Sequence, residues 1–137
     1  MERKEFAKQA ANIVQRAYDF TIKGRKQGIV ELGDDIDADA LKRLDVFEFG
    51  MRLAVDGADF EYIDNTLSGM INMEQDDAAR RLKIIQKEAV MCIQKGFNSW
   101  VMLNIIFSIF KDKEHQDVRM FLKNSVIVDY FSKYYEG

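Results

Sequence analysis

Hydrophobic residues recur along most of the chain at intervals of three and four positions, the spacing of one face of an α-helix. This pattern predicts four helical segments. Their apolar positions cover residues 6–18, 41–55, 63–101 and 117–134, with an extension of the first helix to Leu32 left open. No stretch of useful length alternates between apolar and polar residues as a half-buried strand would.

Glycine and aspartate residues mark the expected ends of the first two segments. Proline is absent from the sequence, so no residue of that kind interrupts a helix. Gly33 suits the position just after the first helix, because glycine tolerates the left-handed conformation found there. Asp37 or Asp39 is expected to cap the second helix by accepting a hydrogen bond from its first turn.

Similar signals delimit the third segment, which is the longest. Asp56-Gly57 is predicted to end the second helix, and Asp59 to cap the third. Two breaks inside the third segment, near residues 75–78 and at Gly96, are left open. The resulting prediction is an all-α fold, a single-domain bundle of about four helices, one of them long, over residues 1–137.

Composition limits the possible functions more than it defines one. The chain has 137 residues, of which 47% are hydrophobic and 31% charged, with a net charge of −3, as in many water-soluble globular proteins. Basic residues do not cluster as nucleic-acid binding would require, so no nucleic-acid partner is expected. The most apolar stretch, residues 96–110, is shorter than a bilayer span and is interrupted by polar residues. We interpret it as a buried core helix and expect no membrane span.

Side chains that could carry chemistry are few. Cys92, the only cysteine, lies in an apolar run and is expected to be buried and unreactive, while His115, the only histidine, is expected at the surface. Residues 35–39 imitate the start of a calcium loop, but Ala40 and Val46 occupy the positions that need Gly and Glu. No catalytic residue, cofactor or metal site is therefore predicted, and the chain is not expected to be an enzyme.

Aromatic residues gather at the end of the sequence. Tyr130, Phe131, Tyr134 and Tyr135 fall within the last predicted helix. Two interpretations are open: the helix docks on the core, or it forms a self-association patch, since contiguous exposed apolar surface marks interfaces. The second interpretation predicts a homodimer through Tyr130, Phe131 and Tyr134.

Two stretches in the first half of the chain read Arg25-Lys-Gln-Gly28-Ile29-Val-Glu-Leu32 and Phe47-x-x-Gly50-Met-x-Leu53-x-Val55-Asp56-Gly57-x-x-x-Glu61-x-Ile63-x-x-x-Leu67. They resemble the cytoplasmic part of the MotA-type flagellar stator proteins, relatives of the ExbB/TolQ proton-channel subunits. The first resembles the family's Arg-x-x-Gly-(Ile/Leu/Met)-x-x-Leu-Glu segment, and the second resembles the family's next stretch. Their order and the acidic linker between them also agree with the family, and the likeness covers roughly residues 10–95.

The resemblance implies a site for a protein partner. In the family, an Arg and a Glu of the first stretch contact the switch-complex protein of the rotor by charge complementarity. Arg25 occupies the Arg position, whereas Gly33 occupies the Glu position. The neighbouring acidic residues Glu31, Asp34 and Asp35 are therefore the expected partner-binding residues beside Arg25.

The family's membrane helices have no counterpart in this sequence. Residues 96–104 stand where a proline and a Gly/Thr-rich run would open the third membrane helix. The expected function is that of a non-enzymatic, cytoplasmic interaction protein of the flagellar motor, which binds the rotor switch-complex protein or a stator component. The alternative is a helical homo-oligomerisation or scaffold module with no motor role, which associates through the aromatic C-terminal helix or through the face of residues 97–110.

Overall fold

The structure is a computed structural model that describes residues 1–36 and 45–135. All regular structure in these two ranges is helical, which confirms the all-α prediction. The predicted number of about four helices is wrong, because the described residues form seven α-helices and one 3-10 helix. The helices are α1 (Arg3–Gln27), the 3-10 helix (Ile29–Asp35), α2 (Val46–Val55), α3 (Phe60–Asn72), α4 (Asp77–Lys95), α5 (Ser99–Phe107), α6 (Asp112–Arg119) and α7 (Ser125–Tyr135).

Helix α1 ends earlier than Gly33, the residue predicted to terminate it. It ends at Gln27, and Gly28 adopts a φ of 93°, a conformation that favours glycine. The chain then turns into the 3-10 helix, which contains Gly33. A β-carbon built on Gly33 would lie 3.3 Å from Cγ1 of Val55, so the small size of Gly33 permits close packing against α2.

Helix α2 begins at Val46, where the side chain of Asp45 accepts a hydrogen bond of 2.9 Å from the backbone N–H of Glu48. The predicted caps Asp37 and Asp39 lie outside the described residues, as do the first positions of the predicted second helix. The end of α2 agrees with the sequence prediction, because the helix stops at Val55 before Asp56 and Gly57.

The long third segment is divided into α3, α4 and α5, so both breaks that the sequence left open are present. Asp59 caps α3 as predicted, accepting a hydrogen bond from Tyr62 N–H at 2.8 Å. Asp76 caps α4 in the same way. Gly96 ends α4 with a left-handed φ of 73°, and Asn98 then caps α5.

The predicted last helix is also two helices, α6 and α7. Residues 120–124 separate them, and the side chain of Asn124 accepts a hydrogen bond of 2.9 Å from Val126 N–H at the start of α7. Across the fold, Gln15 Oε1 of α1 accepts hydrogen bonds from the backbone N–H groups of Lys123 and Asn124, at 2.6 and 3.1 Å. A distant side chain thus holds this turn in place.

Helices α1 and α4 form the centre of the fold. They pack against each other, and α4 also contacts α2, α3 and α5, while α1 contacts α5, α6 and the 3-10 helix. Ion pairs between described helices include Arg16 with Glu48, Arg81 with Glu114 and Lys87 with Asp64. The largest fully buried side chains are Phe107, Phe131, Leu32, Met51, Ile63, Leu67, Ile85, Met102, Leu103, Ile106, Ile127 and Val14.

Candidate functional site

The four residues expected to bind a partner all lie at the surface, around the turn between α1 and the 3-10 helix. Arg25 is exposed near the end of α1, and Glu31, Asp34 and Asp35 are exposed on the 3-10 helix. Val30, with 67% of its surface exposed, lies beside Glu31. We call these five residues the elbow surface.

Buried packing holds the elbow surface in place. Leu32 is fully buried, and a β-carbon built on Gly24 of α1 would lie 3.1 Å from Leu32 Cδ1. The 3-10 helix therefore folds back closely onto α1. On its other side, Gly33 packs against Val55 of α2. The two stretches that carry the resemblance thus contact each other, and the second supports the first.

An ion pair joins one of the predicted acidic residues to α1, but Arg25 is not bonded to any of the three. Lys23 Nζ and Asp35 Oδ2 form an ion pair of 2.6 Å. The hydrogen bond with Asp35 is the main reason that the pKa of Lys23 is raised, and Asp34 and Glu31 add to the effect. In the described residues no hydrogen bond or ion pair links Arg25 with Glu31, Asp34 or Asp35.

Arg25 instead contacts the junction between α4 and α5. Its Nη1 donates a hydrogen bond of 2.5 Å to the backbone carbonyl of Gly96. The last carbonyl groups of a helix carry partial negative charge, so a guanidinium group is favourable there. A cleft of about 390 Å³ lies beside this contact, lined in part by Thr21, Ile29 and the half-exposed ring of Phe97.

The exposure of two apolar residues, Val30 of the elbow surface and Phe97 of the neighbouring cleft, was not predicted from the sequence. Helical periodicity offered no signal for Val30, because the extension of the first helix to Leu32 was left open and the region is a 3-10 helix. Phe97 was assigned to a buried segment, but it lies in the short link between α4 and α5 and is 38% exposed.

The two side chains that could carry chemistry, those of Cys92 and His115, pack against other residues of the fold. Cys92 is buried as predicted, and burial raises the pKa of its thiol to about 11, with a smaller contribution from the charge of Glu88. His115 was expected at the surface, which is wrong. It is half-buried, its ring stacks on Tyr135 at 4.7 Å between centroids, and its Nε2 lies 2.8 Å from the carbonyl oxygen of Phe107.

No acidic or thiol cluster suited to a metal ion is found where the structure describes the chain. Among residues 1–36 and 45–135 there is no group of three or more His, Cys, Asp or Glu side chains that could hold one. Most of residues 35–39, the stretch compared with a calcium loop, lies outside these ranges. None of the described helices is both long and apolar enough to cross a bilayer.

The aromatic residues predicted for self-association fall into two groups. Phe131 is only 1% exposed and packs edge-on against Phe107, so its predicted place in a surface contact is wrong. Tyr130 is also largely buried, whereas Tyr134 is 59% exposed. Helix α7 therefore docks on the core through one face and presents another face to the outside.

Comparisons with known proteins identify no relative of this chain. No family model matches the chain, and neither a curated protein nor a solved structure does.

Proposed function

We propose that this chain is a non-enzymatic interaction protein of the flagellar motor, which works in the cytoplasm and binds the rotor switch-complex protein through the elbow surface. The observation that supports this proposal best is the packing of the two stator-like stretches against each other. Half-buried Val55 of the second stretch packs against Gly33 at the end of the first, and the first stretch carries exposed charges. This arrangement is suited to a docking surface of defined shape.

The charges of the elbow surface favour a transient partner with mixed charge. Arg25 offers a guanidinium group, and Glu31 and Asp34 offer exposed carboxylates a short distance along the chain. Charges at the edge of an interface steer association and set orientation more than they add affinity. Val30 supplies an exposed apolar contact beside them. The proposed complex is therefore weak and sensitive to salt.

Binding requires Arg25 to exchange one acceptor for another. In the free chain its Nη1 is bonded to the carbonyl oxygen of Gly96. A carboxylate of the partner is a stronger acceptor for a guanidinium group than a neutral carbonyl, because both members of the bond are then charged. The exchange leaves the carbonyl of Gly96 accessible to water, since the cleft beside it is open.

A titration of the chain with the purified rotor switch-complex protein tests the proposal. We expect binding at about 0.05 M salt that weakens strongly at about 0.5 M. Arg25→Ala should weaken it by about tenfold, because the complex loses a hydrogen bond between two charged groups. Lys26→Ala removes a neighbouring exposed charge and is the matched control. The proposal fails if no binding is seen, or if Arg25→Ala and Lys26→Ala bind equally well.

The acidic half of the surface needs its own variants, because Arg25 also makes a contact within the chain. Glu31→Lys and Asp34→Lys reverse exposed charges for which no hydrogen bond or ion pair with another described residue is found. Asp19→Lys makes the same change at an exposed position of α1 and serves as the control. A parallel titration with a stator component shows whether that component is the partner instead.

A further inference from the structure

Helices α5 and α7 form an open groove that shares no residue with the elbow surface. It has a volume of about 690 Å³, and both helices contribute residues to its lining. Trp100, Val101 and Ile105 line it from α5, and Asp129, Tyr130, Lys133 and Tyr134 line it from α7. Trp100 is 48% exposed and Tyr134 is 59% exposed. Exposed apolar surface of this kind usually marks an interface.

The aromatic residues of the groove are already ordered by contacts within the chain. The ring of Trp100 stacks on Tyr130 with 5.1 Å between centroids, and Tyr130 lies 4.8 Å from Tyr134. Below them, Tyr130 also stacks on the buried ring of Phe107. Because little side-chain entropy is lost when ordered aromatic groups are covered, they are effective contact residues in an interface.

The charges of the groove favour an occupant whose own charges are complementary. Asp129 and Lys133 lie one turn apart on the same side of α7, and both are exposed. Neither forms an ion pair with any described residue. A two-fold axis that crosses α7 near Phe131 would place two copies of the helix antiparallel. Asp129 of each copy would then face Lys133 of the other, as the self-complementary contacts of a two-fold interface require.

We propose that a second copy of this chain occupies the groove, giving a symmetric dimer in which α7 pairs with α7. Two ion pairs between Asp129 and Lys133 set the register, and Trp100 and Tyr134 supply the apolar contact. Phe131, assigned to the contact from the sequence, instead supports the helix from beneath. This inference does not depend on the proposed motor function.

Charge reversal separates this dimer from other forms of association. In Asp129→Lys, a lysine of one copy faces a lysine of the other at both of the symmetry-related contacts. In Lys133→Asp, two aspartates face each other at the same two contacts. We expect each variant alone to raise the dissociation constant of the dimer by about tenfold or more. When the two variants are mixed, their charges are again complementary, so a mixed dimer should form with nearly the wild-type affinity.

The measurement is sedimentation over a range of concentrations, together with the fluorescence of Trp100, the only tryptophan in the sequence. Association should shift its emission to shorter wavelength and protect it from quenchers. Asp19→Lys and Lys8→Asp change the same charges at exposed sites on α1 and should dimerise as the wild type does. Far-ultraviolet circular dichroism verifies that each variant is folded.

Several outcomes would overturn the proposal. One is a wild-type chain that stays monomeric up to about 1 mM, beyond which association is too weak to be specific. Another is a dimer that persists in both charge-reversal variants, or a mixture of the two that remains monomeric. A monomeric wild type whose Trp100 emission responds to a helix from another protein would assign the groove to a different occupant.

Discussion

Arg25 on α1 donates a hydrogen bond to the backbone carbonyl of Gly96, a residue 71 positions later in the chain. The contact joins the elbow surface to the point where α4 ends and α5 begins. Gly96 is the left-handed residue that terminates α4, and its carbonyl lies at the negative end of that helix. The side chain with the clearest expected role in binding a partner thus has a role within the fold as well.

Replacement of Arg25 by alanine should therefore loosen the α4–α5 junction. We expect Arg25→Ala to lower the free energy of unfolding by about 1 kcal/mol at most, because the lost hydrogen bond is exposed to water. Hydrogen exchange should become faster at the amides of Gly96 and Phe97, whose hydrogen bonds close the last turn of α4. Lys26→Ala should change neither quantity. Equal exchange rates in the two variants would show that the arginine does not support the junction.

The helical class and several helix ends could be predicted from the sequence because their physical causes lie within a few residues of each other. Caps such as Asp59 act on backbone groups only a few residues away, so residue type and spacing are enough to locate them. The division between α6 and α7 has a partly distant cause, since Gln15 of α1 binds the turn at Lys123 and Asn124. No local pattern contains that contact.

The resemblance supplied the residues of the candidate site but not their arrangement. Arg25, Glu31, Asp34 and Asp35 are all exposed, which the sequence alone did not establish for Arg25. The directions of the three acidic side chains depend on the 3-10 helix, which periodicity alone does not distinguish from an α-helix. Phe131 is buried and Tyr134 is exposed, although both lie on one short helix. The sequence could not predict this difference, because it depends on which face of α7 docks on the core.

Gly50 and Gly69 should respond in opposite ways to the same substitution. Both lie inside helices, where alanine is normally favoured by about 1 kcal/mol. A β-carbon on Gly50 would lie 2.9 Å from Leu67 Cδ1 and from Val90 Cγ2, whereas one on Gly69 would meet nothing within 4 Å. Overpacking of a core costs about 1–3 kcal/mol. Gly50→Ala should therefore destabilise the fold by about 1 kcal/mol, and Gly69→Ala should stabilise it by about 0.5–1 kcal/mol.

Urea denaturation of both alanine variants measures this contrast. A Val90→Ala background removes the methyl groups that meet the new β-carbon at position 50. The cost of Gly50→Ala should be smaller in that background, because the two sites are in contact and their effects are not additive. If Gly50→Ala were as stabilising as Gly69→Ala, the close packing of α2 between α3 and α4 would be refuted.

Cys92 should react with thiol reagents only when the fold opens. Its side chain is buried, and desolvation raises the pKa of the thiol to about 11. Since the thiolate is the reactive form, the folded chain should be modified far more slowly than a free thiol near pH 8. The labelling rate should rise with urea in parallel with unfolding. Rapid labelling without urea would contradict the burial of this residue.

The ion pair between Arg81 and Glu114 should make stability depend on pH. Arg81 Nη1 and Nη2 donate to the two carboxylate oxygens of Glu114 at 2.6 and 2.5 Å, and this contact is the main cause of the lowered pKa of Glu114. A carboxyl group with a lower pKa when folded stabilises the fold above its unfolded pKa, near ~4.3. That contribution is lost as the pH falls through the lower pKa of the folded state.

Glu114→Gln isolates this contribution, because glutamine keeps an oxygen for the backbone N–H of Lys111 but removes the charge. We expect a loss of about 2 kcal/mol near pH 7, since the charge of Arg81 is left partly buried without its partner. The difference from the wild type should shrink as the pH falls below the unfolded pKa and through the lower pKa of the folded state, where the wild-type carboxylate takes up a proton. Asp112→Asn, in the first turn of the same helix, should cost about 0.5 kcal/mol. Urea denaturation at a series of pH values tests both variants. The loss caused by Glu114→Gln could instead stay constant down to pH values at which the wild-type carboxylate is protonated. That result would show that the carboxylate does not stabilise the fold through its charge.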